Sequence, residues 1–323
     1  MTVIIAGSSQ YSATGSSPVV TIGNFDGVHL GHQHLLSRTL YHAEKRNAPS
    51  CVFTFEPSPR TLLSPDSKVL RISPWTEKIR MIGNMGIDHI ILERFTHSFS
   101  MHPPEWFVDE ILIKRLSAQA LVVGYDFRFG KNRKGDVDFL KERAPDLFVE
   151  QVNAHQLGDV TISSSAIRQL IMDGQVEKAI SYLGRCHQIS GVVIEGAGRG
   201  RQLGFPTANL LPSTSLLPGA GVYAAFARVD HQEWRISMVN IGSRPTFDGG
   251  NMSIEAHLLD ADFNMYGSEM QLMFVGRLRD ERRFESTEAL RLQLVEDRKG
   301  TLSLLERVDL QDCLGLCSRP KNL

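Results

Sequence analysis

Val19-Val20-Thr21-Ile22-Gly23-Asn24-Phe25-Asp26-Gly27-Val28-His29-Leu30-Gly31-His32 is the stretch on which the fold turns. Four apolar or β-branched residues run into a glycine turn, and a helical pattern starts at Leu30 and continues to about Arg46. A buried strand that passes through glycines straight into a helix opens a βα unit. The succession then repeats to about residue 150. Cys51 to Phe55 reads as strand, Thr76 to Met85 as helix, Ile87 to Leu92 as strand, Pro104 to Leu116 as helix and Ala120 to Val123 as strand. Strands separated by helices are joined by crossovers, so a doubly wound α/β layer with a parallel sheet is expected. The Ser-rich stretch before it, Ser8 to Ser17, reads as a solvated loop.

After Ser163-Ser164-Ser165 come two short helical patterns, Ala166 to Met172 and Gln175 to Leu183, split by Asp173-Gly174. The pattern changes character at Gly184-Arg185, which places the expected boundary there and divides the chain into residues 1–184 and 185–323. Downstream the strands are short and punctuated by Gly, Pro, Asn or Asp: Ser190 to Ile194, Val222 to Val229, Trp234 to Ile241, Ile254 to Leu259 and Met270 to Leu278. No helix-sized segment separates them, so they are expected to form an antiparallel barrel or sandwich. One helix closes it, capped by Ser286 and running to about Lys299 before Gly300.

With 323 residues, 42% hydrophobic and 22% charged, the chain can bury a sizeable core, and its length suits two domains. Its 35 Lys and Arg against 36 Asp and Glu remove the global electrostatic case for nucleic acid or an anionic membrane as partner. The apolar run Val3 to Ala6 is too short for a signal-peptide core, and no stretch approaches the length of a membrane span. A cytosolic protein is therefore expected. Cys51, Cys186, Cys313 and Cys317 are too scattered for a disulfide framework or a zinc site and read as reduced thiols.

The chemistry sits in a few clusters. Strand, glycine turn and helix start form a phosphate site, because unpaired N–H groups and the positive end of the helix dipole face the ligand. Gly23, Asn24, Phe25, Asp26 and Gly31 would cradle phosphates there. His29 and His32, three apart at the head of the helix, could donate to a phosphate whose charge grows during nucleotidyl transfer. Their other reading is helix capping or a structural zinc. Ser164, Ser165 and Arg168 can bind phosphate oxygens or simply cap a helix. Asp126 follows a strand end, at the edge where open α/β sheets bind ligands, or it is a loop carboxylate paired with Arg128. Gly198, Arg199, Gly200 and Arg201 allow close approach to a phosphate while countering its charge, or form a flexible basic loop. Thr207 and Asn209 offer hard oxygen ligands suited to Mg²⁺, or complete an ordinary turn.

The segment Gly23 to His32 resembles the G-x-F-D-G-V-H-x-G-H signature of the prokaryotic FAD synthetases, the bifunctional riboflavin kinase/FMN adenylyltransferases. The resemblance continues, in order, through Thr54 to Pro59, Val123 to Gly130 and Ile162 to Arg168. It resumes in the Gly196 to Gly204 loop with Pro206-Thr207-Ala208-Asn209, then in Pro218 to Tyr223, Asn240 to Phe247, Ile254 to Leu258 and Leu278 to Glu281. It implies a Rossmann-like nucleotidylyltransferase domain followed by a six-stranded antiparallel riboflavin kinase barrel with a C-terminal helix. It implies that Ser164, Ser165 and Arg168 hold the outer phosphates of ATP while FMN attacks the α-phosphate. Pro57, Ser58 and Asp126 would serve the flavin or nucleotide side. Thr207 and Asn209 would serve magnesium and ATP, and Glu255 would be the base that takes the proton of the riboflavin 5′-hydroxyl. Glu255 is otherwise an exposed strand carboxylate.

Five positions depart from the family pattern: Ser58 replaces a histidine, Ser165 a threonine, Ala166 a basic residue, Cys186 a proline and Glu195 a histidine. The leading expectation is an enzyme that uses riboflavin, ATP and Mg²⁺ to make FMN, then FMN and a second ATP to make FAD and pyrophosphate. Two alternatives are a protein with only the kinase half active and a non-catalytic flavin-binding regulator. No motif addresses the oligomeric state.

Overall fold

A computed structural model describes residues 2–12, 16–63, 70–196, 198–213, 216–243, 252–260 and 265–315. Arg244 to Phe247 and Cys317, named above, lie outside the described residues, as do Ala197 and the side chain of Arg199. The chain forms two compact units, Met1–Val69 with Pro74–Ser163, and Leu70–Ser73 with Ser164–Leu323.

The first unit holds six strands, β1 (Val3–Ile5), β2 (Val19–Ile22), β3 (Ser50–Phe55), β4 (His89–Glu93), β5 (Ala120–Gly124) and β6 (Phe148–Val152). They pair in the order β1-β4-β3-β2-β5-β6, all parallel. The central strands are apolar on both faces, as a sheet covered on both sides requires. Val20, Phe53 and Leu121 belong to one core, with Phe107, Ile111 and Leu112, while Val19, Val52 and Val122 belong to another, with Leu36 and Ile82. The helices are α1 (Leu30–Lys45), α2 (Pro59–Leu63), α3 (Trp75–Asn84), α4 (His97–Ser100), α5 (Pro104–Trp106) and α6 (Val137–Arg143). The expected helix from Pro104 to Leu116 is α5 continued by wider π-helical turns over Phe107–Arg115. From β2 the chain winds one way through β3 and β4 and later the other way through β5 and β6, so the carboxyl ends of β2 and β5 flank the topological switch point.

Two edge strands and one loop differ from the sequence reading. β1 has three residues, too few for an alternation to register, and β6 carries Glu150 and Gln151. Ser8 is buried rather than solvated: its N–H donates to Glu93 Oε2 at 2.7 Å and its hydroxyl accepts from Arg115 at 3.1 Å. A small hairpin, β7 (Gln156–Leu157) and β8 (Val160–Thr161), ends the unit.

The second unit begins with α7 (Ser164–Met172) and α8 (Val176–Leu183). Strands β9 (His187–Ile194), β10 (Ala208–Pro212), β11 (Gly221–Val229), β12 (Arg235–Ser243), β13 (Met252–Leu258) and β14 (Glu269–Arg279) close a barrel in the order β10-β13-β12-β11-β14-β9, every pair antiparallel. Alternate residues fill it, among them Val193, Leu210, Val239, Ile254 and Phe274. β10 starts within the Thr207–Asn209 stretch, runs on through Leu210 and Leu211, and carries none of the Val or aromatic enrichment that marks the other strands. The two helices pack on this barrel: Val176 enters its core, the Gly219 N–H donates to the Ile171 carbonyl at 3.0 Å, and the Arg277 N–H donates to Glu177 at 2.7 Å.

Between β9 and β10 lies the short α9 (Arg199–Gln202), and the chain ends in α10 (Thr287–Leu305) and α11 (Leu310–Leu314). Ser286 caps α10, accepting from the Ala289 N–H at 3.1 Å. The helix does not stop at Gly300. Leu302 and Leu305 pack on the barrel, and that burial outweighs the roughly 1 kcal/mol a mid-helix glycine costs. Asp297, nearly fully buried, pairs with Arg279 of β14 at 2.8 Å and fixes the helix across the outer wall.

Candidate active sites

Gly23 to His29 form the turn at the switch point. The Gly23 N–H donates to the Phe53 carbonyl at 3.1 Å, so the turn starts within the sheet ladder. Phe25 and Val28 adopt positive φ, 52° and 37°, and both side chains are buried. This strained backbone leaves the Asn24 side exposed and Asp26 half-buried. A Cβ on Gly23 would lie 3.0 Å from the Phe25 ring, which explains glycine there.

His29 caps α1: its Nδ1 accepts the His32 N–H at 3.3 Å. An imidazole that accepts at Nδ1 carries its proton on Nε2, so capping fixes the tautomer that can donate onward. The two rings stack at 3.6 Å with 18° between planes, and Gly31 leaves room for them, since a Cβ there would touch the His29 ring at 3.3 Å. The two readings of these histidines, cap and phosphate donor, are thus compatible in His29. His34 and His155 sit close together at 5.7 Å, and burial, then the neighbouring His155, pulls the His34 pKa down.

The next turn, after β3, carries Pro57 and Ser58, with a cis Glu56–Pro57 bond. Both are half-buried. The Ser58 hydroxyl is engaged with Thr61 Oγ1 at 2.9 Å at the start of α2. Asp126 is exposed beyond β5. Arg128, its partner in the alternative reading, instead pairs with Asp136, the cap of α6. One residue absent from the sequence reading stands out here: Lys78, buried on α3, reaches the Asn24 carbonyl at 3.1 Å.

Ser164 and Ser165 start α7 and Arg168 lies one turn on. They belong to the compact unit of the barrel, whereas His29 and His32 belong to the other. Ser165 is exposed, and Arg168 Nε donates to the Leu70 carbonyl at 2.8 Å within the same unit.

On the barrel, Asn209 of β10 pairs in register with Glu255 of β13, and Glu255 pairs with Asn240 of β12. Their neighbours Ala208, Leu210, Val239, Ile241, Ile254 and Ala256 all point into the core. The three polar side chains therefore stand in one row on the outer wall, where cross-strand Cβ atoms lie about 5 Å apart. Asn209 is buried nonetheless, because the Gly196 turn covers it: a Cβ on Gly196 would overlap its amide. Gly200 is held equally closely, under the Phe205 carbonyl and beside Thr207 Oγ1. The loop is shaped by the Phe205 N–H bond to the Gly200 carbonyl at 2.9 Å and by Gly198 at φ 67°. Gly198, Arg201 and Glu195 are exposed. His257, two residues from Glu255, bonds through Nδ1 to the Pro206 carbonyl at 2.7 Å, and burial lowers its pKa. The Glu281 carboxylate rests over Gly242, beside Asn240. Asn240, an amide in mid-strand among apolar residues, was the available signal for this row and was not among the expected site residues.

Among the described residues no group of three or more His, Cys, Asp or Glu could hold a metal, and no helix is long and apolar enough to cross a membrane. A family model described as FAD synthetase matches residues 12–166, and one described as riboflavin kinase matches residues 183–305. The chain is 37% identical to the bifunctional riboflavin kinase/FMN adenylyltransferase of Escherichia coli K12, covering 86% of this chain and 90% of that one. It is 35% identical to the protein of the same description from Buchnera aphidicola of Acyrthosiphon pisum, with 91% and 95% covered. A Streptococcus pneumoniae crystal structure described as a macrolide-efflux protein superposes with a TM-score of 0.86 at 32% identity, covering 93% of this chain and 98% of that one. The two models matched in tandem, and relatives covered almost end to end, place this chain in the family of bifunctional riboflavin kinase/FMN adenylyltransferases.

Proposed function

We propose that the barrel phosphorylates riboflavin with ATP to give FMN and that the α/β part joins FMN to the AMP moiety of a second ATP, giving FAD and pyrophosphate. The observation that carries this reading is the row Asn209–Glu255–Asn240 beside the glycine loop, a second phosphate-type site separate from the His29/His32 turn. The functional division in this reading is at Gly184, beside the start of the riboflavin kinase match at residue 183.

In the kinase step Glu255 accepts the proton of the riboflavin 5′-hydroxyl as its oxygen attacks the γ-phosphorus, and ADP leaves. Gly198, Arg199, Gly200 and Arg201 line the phosphates. Thr207 and Asn209 hold Mg²⁺. The donor set fits that ion: a hydroxyl, an amide oxygen and a nearby carboxylate are hard ligands, too few for an all-protein cage, which suits an ion that shares its shell with phosphate and water. When bound, Mg²⁺ neutralises charge on the transferring phosphates.

In the adenylyl step the FMN phosphate attacks the α-phosphorus of ATP. The Gly23–Asp26 turn and Gly31 cradle the nucleotide phosphates, and His29 Nε2–H and His32 donate to the α-phosphate as its charge grows. Ser164, Ser165 and Arg168, at the start of α7, are phosphate-binding groups. Pro57, Ser58 and Asp126 face the flavin. The buried thiols Cys51, Cys186 and Cys313 stay reduced, in keeping with a cytosolic setting.

The test is to incubate the protein with riboflavin, ATP and Mg²⁺ and follow the flavins by chromatography. FMN followed by FAD is expected. FMN alone would reduce the protein to a kinase, and flavin binding with neither product would make it a regulator.

A further inference from the structure

Among the described residues one lysine, Lys78, is buried, with 6% of its surface exposed. It sits in the first turn of α3, and burying an ammonium is costly unless its donors are met. They are met by one group of the turn after β2 and by two groups of the last residues of β3. Nζ donates to the Asn24 carbonyl at 3.1 Å, to Thr54 Oγ1 at 3.0 Å and to the Phe55 carbonyl at 3.4 Å. Asn24 belongs to the turn after β2, and Thr54 and Phe55 lead directly into Glu56-Pro57-Ser58 after β3. The Thr54 hydroxyl also lies 3.4 Å from the Asn24 carbonyl, which closes a small triangle between the two strand ends.

A lysine devoted only to folding would be satisfied anywhere on the sheet. This one is satisfied at the carboxyl edge, by the two turns that the proposed adenylyl site assigns to different substrates. We propose that Lys78 is a positioning residue for adenylyl transfer: its ammonium sets the distance between the turn that takes the ATP phosphates and the turn that takes FMN. It touches neither substrate. This rests on the loop assignments above. The chemistry of the step makes the separation matter, because an attacking phosphate oxygen must come within about 3.5 Å of the α-phosphorus and in line, and a misplacement near 1 Å can cost about a hundredfold.

The test compares Lys78→Met, Lys78→Arg and Thr54→Val with the unaltered full chain, measuring FMN adenylylation with separate kcat and KM for ATP and FMN, and riboflavin phosphorylation as the control. Lys78→Met should lower adenylylation kcat about a hundredfold, with smaller changes in either KM and riboflavin phosphorylation unmoved. Lys78→Arg, which can still donate to carbonyls of both turns, should recover a substantial part. Thr54→Val, which removes one corner of the triangle, and so two of its three contacts, without removing the ammonium, should lower kcat about tenfold and decides the matter if Lys78→Met does not fold. Adenylylation kcat within twofold of the unaltered chain in the folded variants, with only the melting temperature lowered, would overturn the proposal. His32→Ala, run in parallel, separates this from the parent reading: if it keeps full adenylylation the loop assignment itself falls, whereas if it is inactive and the Lys78 and Thr54 variants are not impaired, only the positioning role falls.

Discussion

In the α/β unit the groups assigned to phosphate follow one another along a single turn, Gly23 to His32, and owe their placing to backbone geometry: positive φ at Phe25 and Val28, a cap at His29, a helix start at Leu30. In the barrel Asn209, Asn240 and Glu255 come from three strands and owe theirs to pairing register. The difference has a physical consequence. A turn-built site depends on a few special dihedral angles and tolerates change elsewhere in the sheet. A register-built site is lost by a slip of one residue, which would turn Glu255 into the core and Ile254 outward.

The largest effect that would test the contrast is at the register-built site. Glu255→Gln should lower FMN formation by about 10² to 10⁴ and leave conversion of added FMN to FAD unchanged; loss of both steps would defeat the separation of sites. At the turn-built site, His32→Ala should lower FAD formation by about 10² to 10³, stalling the reaction at FMN. Equal loss of FMN formation would count against it.

A smaller effect sharpens the comparison through stability. Complete burial of His187, at the start of β9, pulls its pKa down to about 4 in the folded barrel, against about 6.5 in an unfolded chain. Between those values the unfolded chain binds a proton that the barrel excludes. Stability is therefore fully present above pH about 6.5 and falls, by about 3 kcal/mol, as the pH drops to about 4. Denaturant unfolding followed across that range should show this slope, and His187→Leu should flatten it. Smallest of all, Ser286→Ala should remove about 1 kcal/mol by uncapping α10, measurable in the barrel's transition and absent from that of the α/β unit.

Local signals were read well where local rules decide. Strand, glycine and helix start at Val19 to Leu30 are adjacent in the chain, so the parallel layer and its glycine turn were legible, as were the punctuated strands of the barrel. The failures share a cause. β1 is too short to announce itself and β10 has no β-branched or aromatic residue, Gly300 looks like a helix stop until Leu302 and Leu305 find the barrel, and Ser8 looks solvated until Glu93 receives its N–H. In each case a partner distant in sequence outweighs the local preference. The same holds for Lys78: nothing within α3 marks it as buried, because its acceptors belong to the turn after β2 and to β3.

The order of amino acids by itself determined which side chains were available for phosphate, proton and metal chemistry, and that they lie in two successive architectures, since hydrophobic period, glycine and capping act over a few residues. Only the tertiary structure decided that Asn209, Glu255 and Asn240 share a row, that α7 and α8 pack on the barrel, and that one ammonium ties two turns together. Register and burial are settled by the free energy of the whole folded unit, in which pairings between remote segments compete, and no short window of sequence contains that competition.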